Sequence, residues 1–188
     1  MNPIVTQNYA SLVQAVAEAE PSLPAINQCA ELIAISLEQG HKVLSAGNGG
    51  SAADALHLCE ELVGRYRDNR RALPAICLCA DGTALTCIAN DFGFDEVFSR
   101  QVEALGAAGD VLVLFTSSGN SPNLLLALEA AKSRGLKTVL FAGRGGGRLA
   151  GMADAEWIVP SASGARAQEL HSWGLHVVLE VVENRLFR

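Results

Sequence analysis

Apolar and polar residues follow two rhythms along the chain. From residue 42 onward, short runs rich in Val, Leu, Ile and Ala, bounded by Gly, Pro or Asp, recur between longer segments of helical spacing. The short runs predict strands over 42–46, 74–79, 110–115, 137–141 and 156–159. The longer segments predict helices at about 52–65, 94–105, 122–134 and 164–187. Before residue 42 the pattern is helical only. Residues 4–20 and 22–39 read as two helices, separated near Pro21–Pro24, with Gly40 as a C-cap. Val5, Tyr9, Leu12, Val13 and Val16 draw an apolar stripe along the first. Continuous apolar strands alternating with helices predict an α/β fold, a parallel doubly wound sheet covered by helices on both faces. No linker or low-complexity tract breaks the alternation, so one domain over 1–188 is expected, with the helical hairpin 4–39 lying on it or reaching another subunit.

In such sheets, ligands sit beyond the carboxyl ends of the strands. The first strand runs into Gly47-Asn48-Gly49-Gly50-Ser51 and then a helix. Glycines that let the backbone approach, and free N–H groups at a helix start, make an anion site. On that helix His57 and Glu61 are four apart and share a face. The loop after the third strand is Thr116-Ser117-Ser118-Gly119-Asn120-Ser121, with Pro122 at a first helical position. Alone it also reads as a serine-rich cap; paired with Gly47–Ser51 it reads as the second half of a phosphate grip. The second strand is followed by Asp81, Gly82 and Thr83, leading to Asn90-Asp91-Phe92-Gly93, and the fourth by Gly143–Gly147, expected as a flexible surface turn.

The terminal helix gathers Gln168, Glu169, His171 and His176. Gln168 and His176 lie about 12 Å apart along an ideal helix and roughly 80° apart around it. For both to meet one metal with His57 and Glu61, side chains must converge from two turns, or different subunits must contribute. His and carboxylate suit zinc, while Gln is an unusual ligand, so spacing alone leaves the metal open. A rival reading is dinucleotide binding, since Gly47-x-Gly49-x-x-Ala52 follows a strand and Asp81 ends the next. It leaves the serine loop and the His/Glu/Gln cluster unexplained and ranks lower.

Composition narrows the partners. A net charge of −6 argues against a surface that coats nucleic acid. Arg65, Arg67, Arg70 and Arg71 are then expected as a solvated face or a subunit contact. The five cysteines, odd in number and set in apolar segments, are expected as small core hydrophobes in a reducing compartment. No signal peptide or membrane-length apolar run is evident, so a cytoplasmic protein with no membrane partner is expected.

Taken together, Gly47-Asn48-Gly49-Gly50-Ser51, His57-x-x-Glu60-Glu61-Leu62, Asn90-Asp91-Phe92-Gly93-Phe94, Thr116–Ser121 and Gln168-Glu169-Leu170-His171 with His176 resemble the phosphoheptose isomerases, a group of the SIS (sugar isomerase) domains. The resemblance runs over essentially the whole chain. It implies a three-layer αβα sandwich with a five-stranded parallel, flavodoxin-like sheet, and a homotetramer with active sites at subunit interfaces. It implies conversion of sedoheptulose 7-phosphate to D-glycero-D-manno-heptose 7-phosphate, towards heptoses of bacterial surface glycans such as lipopolysaccharide. By position it assigns one zinc ion (Zn2+) per site to His57, Glu61, Gln168 and His176, with Glu61 and His176 also the acid/base pair. It assigns sugar-phosphate contacts to Asn48, Gly49, Gly50, Asn90, Asp91, Thr116, Ser117, Ser118 and Ser121, with Ser51 close by and Glu61 and Gln168 also facing substrate. Ala52, Ala53 and Ala165 depart from many relatives, some of which carry Asp or Thr where Ala165 falls, and the loop Ser161–Ala165 is slightly shorter. Two alternatives stand beside this: a non-catalytic SIS protein that binds the replication initiator, and an isomerase of another phosphosugar. The presence of both Glu61 and His176 favours the enzyme.

Overall fold

A computed structural model describes residues 1–188. Five strands form one sheet: β1 (Val43–Gly47), β2 (Ala75–Cys77), β3 (Val111–Thr116), β4 (Lys137–Ala142) and β5 (Ala155–Ile158). Every pairing is parallel and the order is β2-β1-β3-β4-β5. The helices are α1 (Pro3–Ala19), α2 (Leu23–Glu38), α3 (Gly50–Val63), α4 (Gly82–Phe92), α5 (Ser99–Leu105), α6 (Pro122–Ser133) and α7 (Gly164–Phe187).

Period-2 geometry sends alternate strand residues into two cores. Val43, Val111, Val113, Phe115, Val139, Phe141 and Trp157 meet α2, α3 and α7 on one face. Leu44, Ala46, Leu112, Leu114, Leu140 and Ala142 meet α5 and α6 on the other. This is the three-layer αβα sandwich, and burial on both faces explains why the strands read as unbroken apolar runs.

Three features depart from the sequence reading. Strand β2 stops at Cys77, so Cys79 lies in a turn rather than beside it in a strand. Residues 82–92, read as a loop, form α4: Asp81 caps it, accepting hydrogen bonds from the N–H groups of Thr83 and Ala84, and Gly93 at φ 95° ends it. No residue of α4 is fully buried, and its core-facing stripe is short: Leu85, Ile88 and Ala89 are half-buried against the second core. The helix expected at 94–105 is a single 3-10 turn at Phe94–Glu96 followed by α5. The cysteines divide: Cys29, Cys59 and Cys77 are buried, Cys79 is half-buried, and Cys87 is exposed on α4 rather than in the core.

Helix α1 buries only Ala15 and Ala19. Its stripe of Val5, Tyr9, Val13 and Val16 is exposed on this chain.

Candidate active site

Because the strands are parallel, their carboxyl ends lie on one side. The chain leaves β1 in one direction and β3 in the other, so the β1 and β3 loops flank the switch point. The first loop is shorter than expected. Helix α3 starts at Gly50, and only Asn48 and Gly49, at φ 57°, make the turn. Ser51, read as part of the loop, is buried in the first turn of α3. In the second loop the Thr116 hydroxyl turns inward and accepts from the N–H groups of Ser118 (3.4 Å) and Gly119 (3.0 Å). Ser117, Ser118 and Ser121 remain half-buried at the rim. The two loops are joined directly: Asn48 and Asn123, the second residue of α6, exchange side-chain hydrogen bonds of 2.9 Å in both directions.

Gly143–Gly147 is not a free surface turn. The Gly143 N–H donates to the Thr116 carbonyl at 3.0 Å, and the Leu149 N–H donates to the Gly119 carbonyl at 3.1 Å. A Cβ on Gly147 would lie 2.7 Å from Asn120 Oδ1, and one on Gly119 would collide with the Gly146 carbonyl. The glycines let this segment press backbone to backbone against the serine loop, bracing it from behind.

Helices α3 and α7 pack side by side and run the same way, meeting in steps of about one turn. The Gln168 carboxamide lies over Gly50, where a Cβ would sit 2.6 Å from its Nε2. One turn on, Ser172 donates to Asp54 Oδ1 at 2.7 Å. Next, the His57 and His176 rings meet edge to face, 5.1 Å between centroids. His57 Nε2 is also 3.6 Å from Glu61 Oε1 and 4.0 Å from Glu60 Oε1. On its other side His176 stacks on Tyr66 at 5.4 Å, and Arg67 caps the Tyr66 ring. Burial, and then the charge of His57, hold the His176 pKa below its ordinary value against the pull of Glu61. Burial raises the Asp54 pKa, and its Oδ2 has no hydrogen-bond partner.

The arginine run is not simply a solvated face. Arg70 is buried against Glu183 of α7, with Nε 2.8 Å from Oε1. Its remaining donors reach the carbonyls of Leu62 (3.0 Å) and Glu61 (2.8 Å). It therefore locks the end of α3, and the backbone of Glu61, onto α7.

Of the expected metal ligands, one chain brings His57 against both Glu61 and His176, while the donor atoms that lie within 4.8 Å of one another are those of His57, Glu60 and Glu61. Two imidazoles and a carboxylate on two packed helices are a donor set that fits zinc. Gln168 stays two turns away over Gly50, as the eight-residue spacing predicts. Asn90 and Asp91 sit at the exposed end of α4, bonded to each other at 2.7 Å and to no residue of the loops or of the α3–α7 seam. The sequence pointed to none of Asp54, Ser172, Tyr66 and Asn123. Asp54 and Ser172 stand one turn before His57 and His176, so helical spacing would have pointed to them once the two helices were paired.

A doubly wound parallel sheet with two glycine- and serine-rich loops at its switch point and a histidine–carboxylate cluster beside them defines the class: an α/β domain built to take a ligand at the carboxyl ends of its strands. The family model described as SIS domain matches residues 6–143. Phosphoheptose isomerase from Vibrio cholerae is 48% identical over 178 residues, 94% of this chain and 93% of that one. That from Citrifermentans bemidjiense is 49% identical over 164 residues, 87% of this chain and 85% of that one. The solved phosphoheptose isomerase of Neisseria gonorrhoeae superposes with a TM-score of 0.91 at 41% identity, covering 96% of this chain and 97% of that one. The chain belongs to the SIS domain family, within its phosphoheptose isomerases.

Proposed function

We propose that the protein is the aldose–ketose isomerase that converts sedoheptulose 7-phosphate to D-glycero-D-manno-heptose 7-phosphate. The observation that supports this is the α3–α7 seam, where His57 touches both Glu61 and His176 on the helix that follows the β1 loop. Names of relatives at 48% and 49% identity over most of the chain support the same reaction.

The reaction moves a proton from C1 to C2 and a hydroxyl proton from O1 to O2 through an enediol. Glu61 is the carbon base: it takes the C1 proton and returns it to C2. His176 donates to O2 and accepts from O1. The Asn48–Gly50 turn and Ser117, Ser118 and Ser121 hold the phosphate, whose binding fixes the sugar against the seam. His57, Glu61 and His176 would hold a zinc ion, with Gln168 the fourth ligand that the family resemblance assigns. Bound there, zinc supplies Lewis-acid polarisation of the sugar oxygens.

The exposed stripe of α1 and the exposed Phe92 at the end of α4 support a homo-oligomer, read as a tetramer in which subunits meet near the sites. Asn90 and Asp91 on α4 then reach a neighbouring subunit's substrate. No helix is long and apolar enough to cross a membrane. The unpaired thiols suit a reducing cytoplasm, where the product feeds heptose synthesis for surface glycans.

The test is incubation of zinc-loaded protein with sedoheptulose 7-phosphate, following aldose formation by NMR beside Glu61→Gln. Turnover that collapses in the variant supports the reading. Sugar-phosphate binding without turnover in the wild type overturns it in favour of a binding protein or another substrate.

A further inference from the structure

The Gly143–Gly147 segment carries one residue that its bracing role does not explain. In the run Gly-Arg-Gly-Gly-Gly, position 144 has φ 48°, the sole positive φ at a non-glycine residue in the chain. Glycine would occupy that conformation without strain, as it does at 145, 146 and 147. A side chain there costs on the order of 1 kcal/mol. Such positions concentrate at ligand clamps. The Arg144 side chain is also aimed. Its Nε donates to the Ala162 carbonyl at 3.0 Å, and its terminal nitrogens make no hydrogen bond or ion pair within the chain. A Cβ on Gly164, at the start of α7, would lie 3.7 Å from Arg144 Nη2 and 3.6 Å from Ser117 Oγ. The guanidinium and the serine hydroxyl thus flank one position within 4 Å of each.

We infer that Arg144 is a phosphate-binding residue of this site, supplying the positive charge that the serine loop lacks. A sugar phosphate carries about −1.5 to −2 charge at pH 7, and Thr116–Ser121 offers it only neutral hydroxyls and N–H groups. A guanidinium with free terminal donors, fixed at Nε, matches a phosphate edge in shape and charge. The neighbouring Arg166 is not available for this, since Asn8 and Glu169 take its donors. The inference rests on the sugar-phosphate reading above but not on the isomerisation.

Two measurements test it, on wild type, Arg144→Gly, Arg144→Gln and Arg144→Lys. Arg144→Gly removes the side chain and relieves the backbone, so it keeps the fold. In the isomerase assay, KM for sedoheptulose 7-phosphate should rise about 10-fold in the Gly and Gln variants and less in Lys, with kcat held, the pattern of lost uniform binding. Unchanged KM, or a fall in kcat alone, overturns the inference. Separately, calorimetric titration with inorganic phosphate should show affinity falling by a similar factor in Gly and Gln. Equal phosphate affinity in all four proteins overturns it. If the wild type does not turn over the ketose, the isomerase reading fails and the phosphate titration alone still decides the role of Arg144.

Discussion

The carboxamides of Asn48 and Asn123 are joined by two hydrogen bonds of 2.9 Å, one in each direction. This pair ties the turn after β1 to the start of α6 and so sets the distance between the β1 and β3 loops. Asn123 is 1% exposed, so Asn123→Ala leaves part of the Asn48 amide unpaired in a half-buried place. The expected loss is about 1–3 kcal/mol of stability, with a rise in KM larger than any change in kcat. Thermal unfolding and steady-state kinetics check it; an unaltered KM would show that the loops keep their spacing without the pair.

Arg70 and Glu183 are an ion pair with side chains only 2% and 5% exposed. Removing one partner of such a pair costs roughly 3–5 kcal/mol because the other charge is stranded. Glu183→Gln should therefore lower the Tm sharply and loosen the end of α3 that carries Glu61. Burial pushes the Glu183 pKa up, but the Arg70 hydrogen bond and the N–H groups of Tyr66, Arg67 and Asp68 outweigh it and hold the pKa below 4.5. A depressed carboxylate pKa contributes stability above the unfolded value and loses it as pH falls from there through the folded value. Wild type should lose stability below about pH 4.5 more steeply than the variant, as urea titrations at stepped pH would show.

His171 is buried among Phe115, Phe141 and Trp157, and neither ring nitrogen is hydrogen-bonded. Burial lowers its pKa from 6.5 to about 4, offset only in part by the Ala142 carbonyl. Between those values the unfolded chain takes up a proton that the folded one refuses, so stability falls as pH drops from 6.5 towards 4. The full difference amounts to about 3 kcal/mol. His171→Phe should flatten this part of the stability profile; a profile that keeps its slope would place the titration elsewhere.

Gly119→Ala tests the bracing of the serine loop. Its φ is 66° and its Cβ would meet the Gly146 carbonyl, a backbone atom that cannot swing aside. The expected outcome is a stability loss of about 1–3 kcal/mol together with weakened phosphate affinity, read by calorimetry. Retained affinity would show that the two loops separate without consequence.

For the metal, equilibrium dialysis should find one zinc per chain, lost in His57→Ala by more than the roughly 10–100-fold that outer-shell partners cost. Because Gln168 rests over Gly50, Gln168→Ala is expected to weaken zinc less than His57→Ala. Equal losses would mean that Gln168 swings two turns to join the ion, or that a second subunit delivers it.

Much of this was readable beforehand, for a physical reason. Strands buried on both faces announce themselves as apolar runs, and helix α7 occupies 164–187 as its periodicity predicts. Helix α4 did not announce itself because it sets only Leu85, Ile88 and Ala89 against the core and buries none of them fully. Arg70 read as part of a solvated face or a subunit contact because its partner, Glu183, lies 113 residues away, and local charge patterning carries no trace of it. The loops stood out as candidates because glycine and serine sit in contiguous runs. The Asn48–Asn123 clamp was not, since nothing in either neighbourhood names the other.

The matched stepping of α3 and α7 also bears on how the chain can change length. Gly50, Asp54 and His57 face Gln168, Ser172 and His176 in register. A single residue inserted between Gln168 and His176 would turn everything beyond it by about 100°, carrying both His176 and Glu183, the anchor of Arg70, out of place at once. Drift in length among descendants of this sequence must therefore fall in the turns, or past the end of α7, while the seam is inherited as one indivisible block.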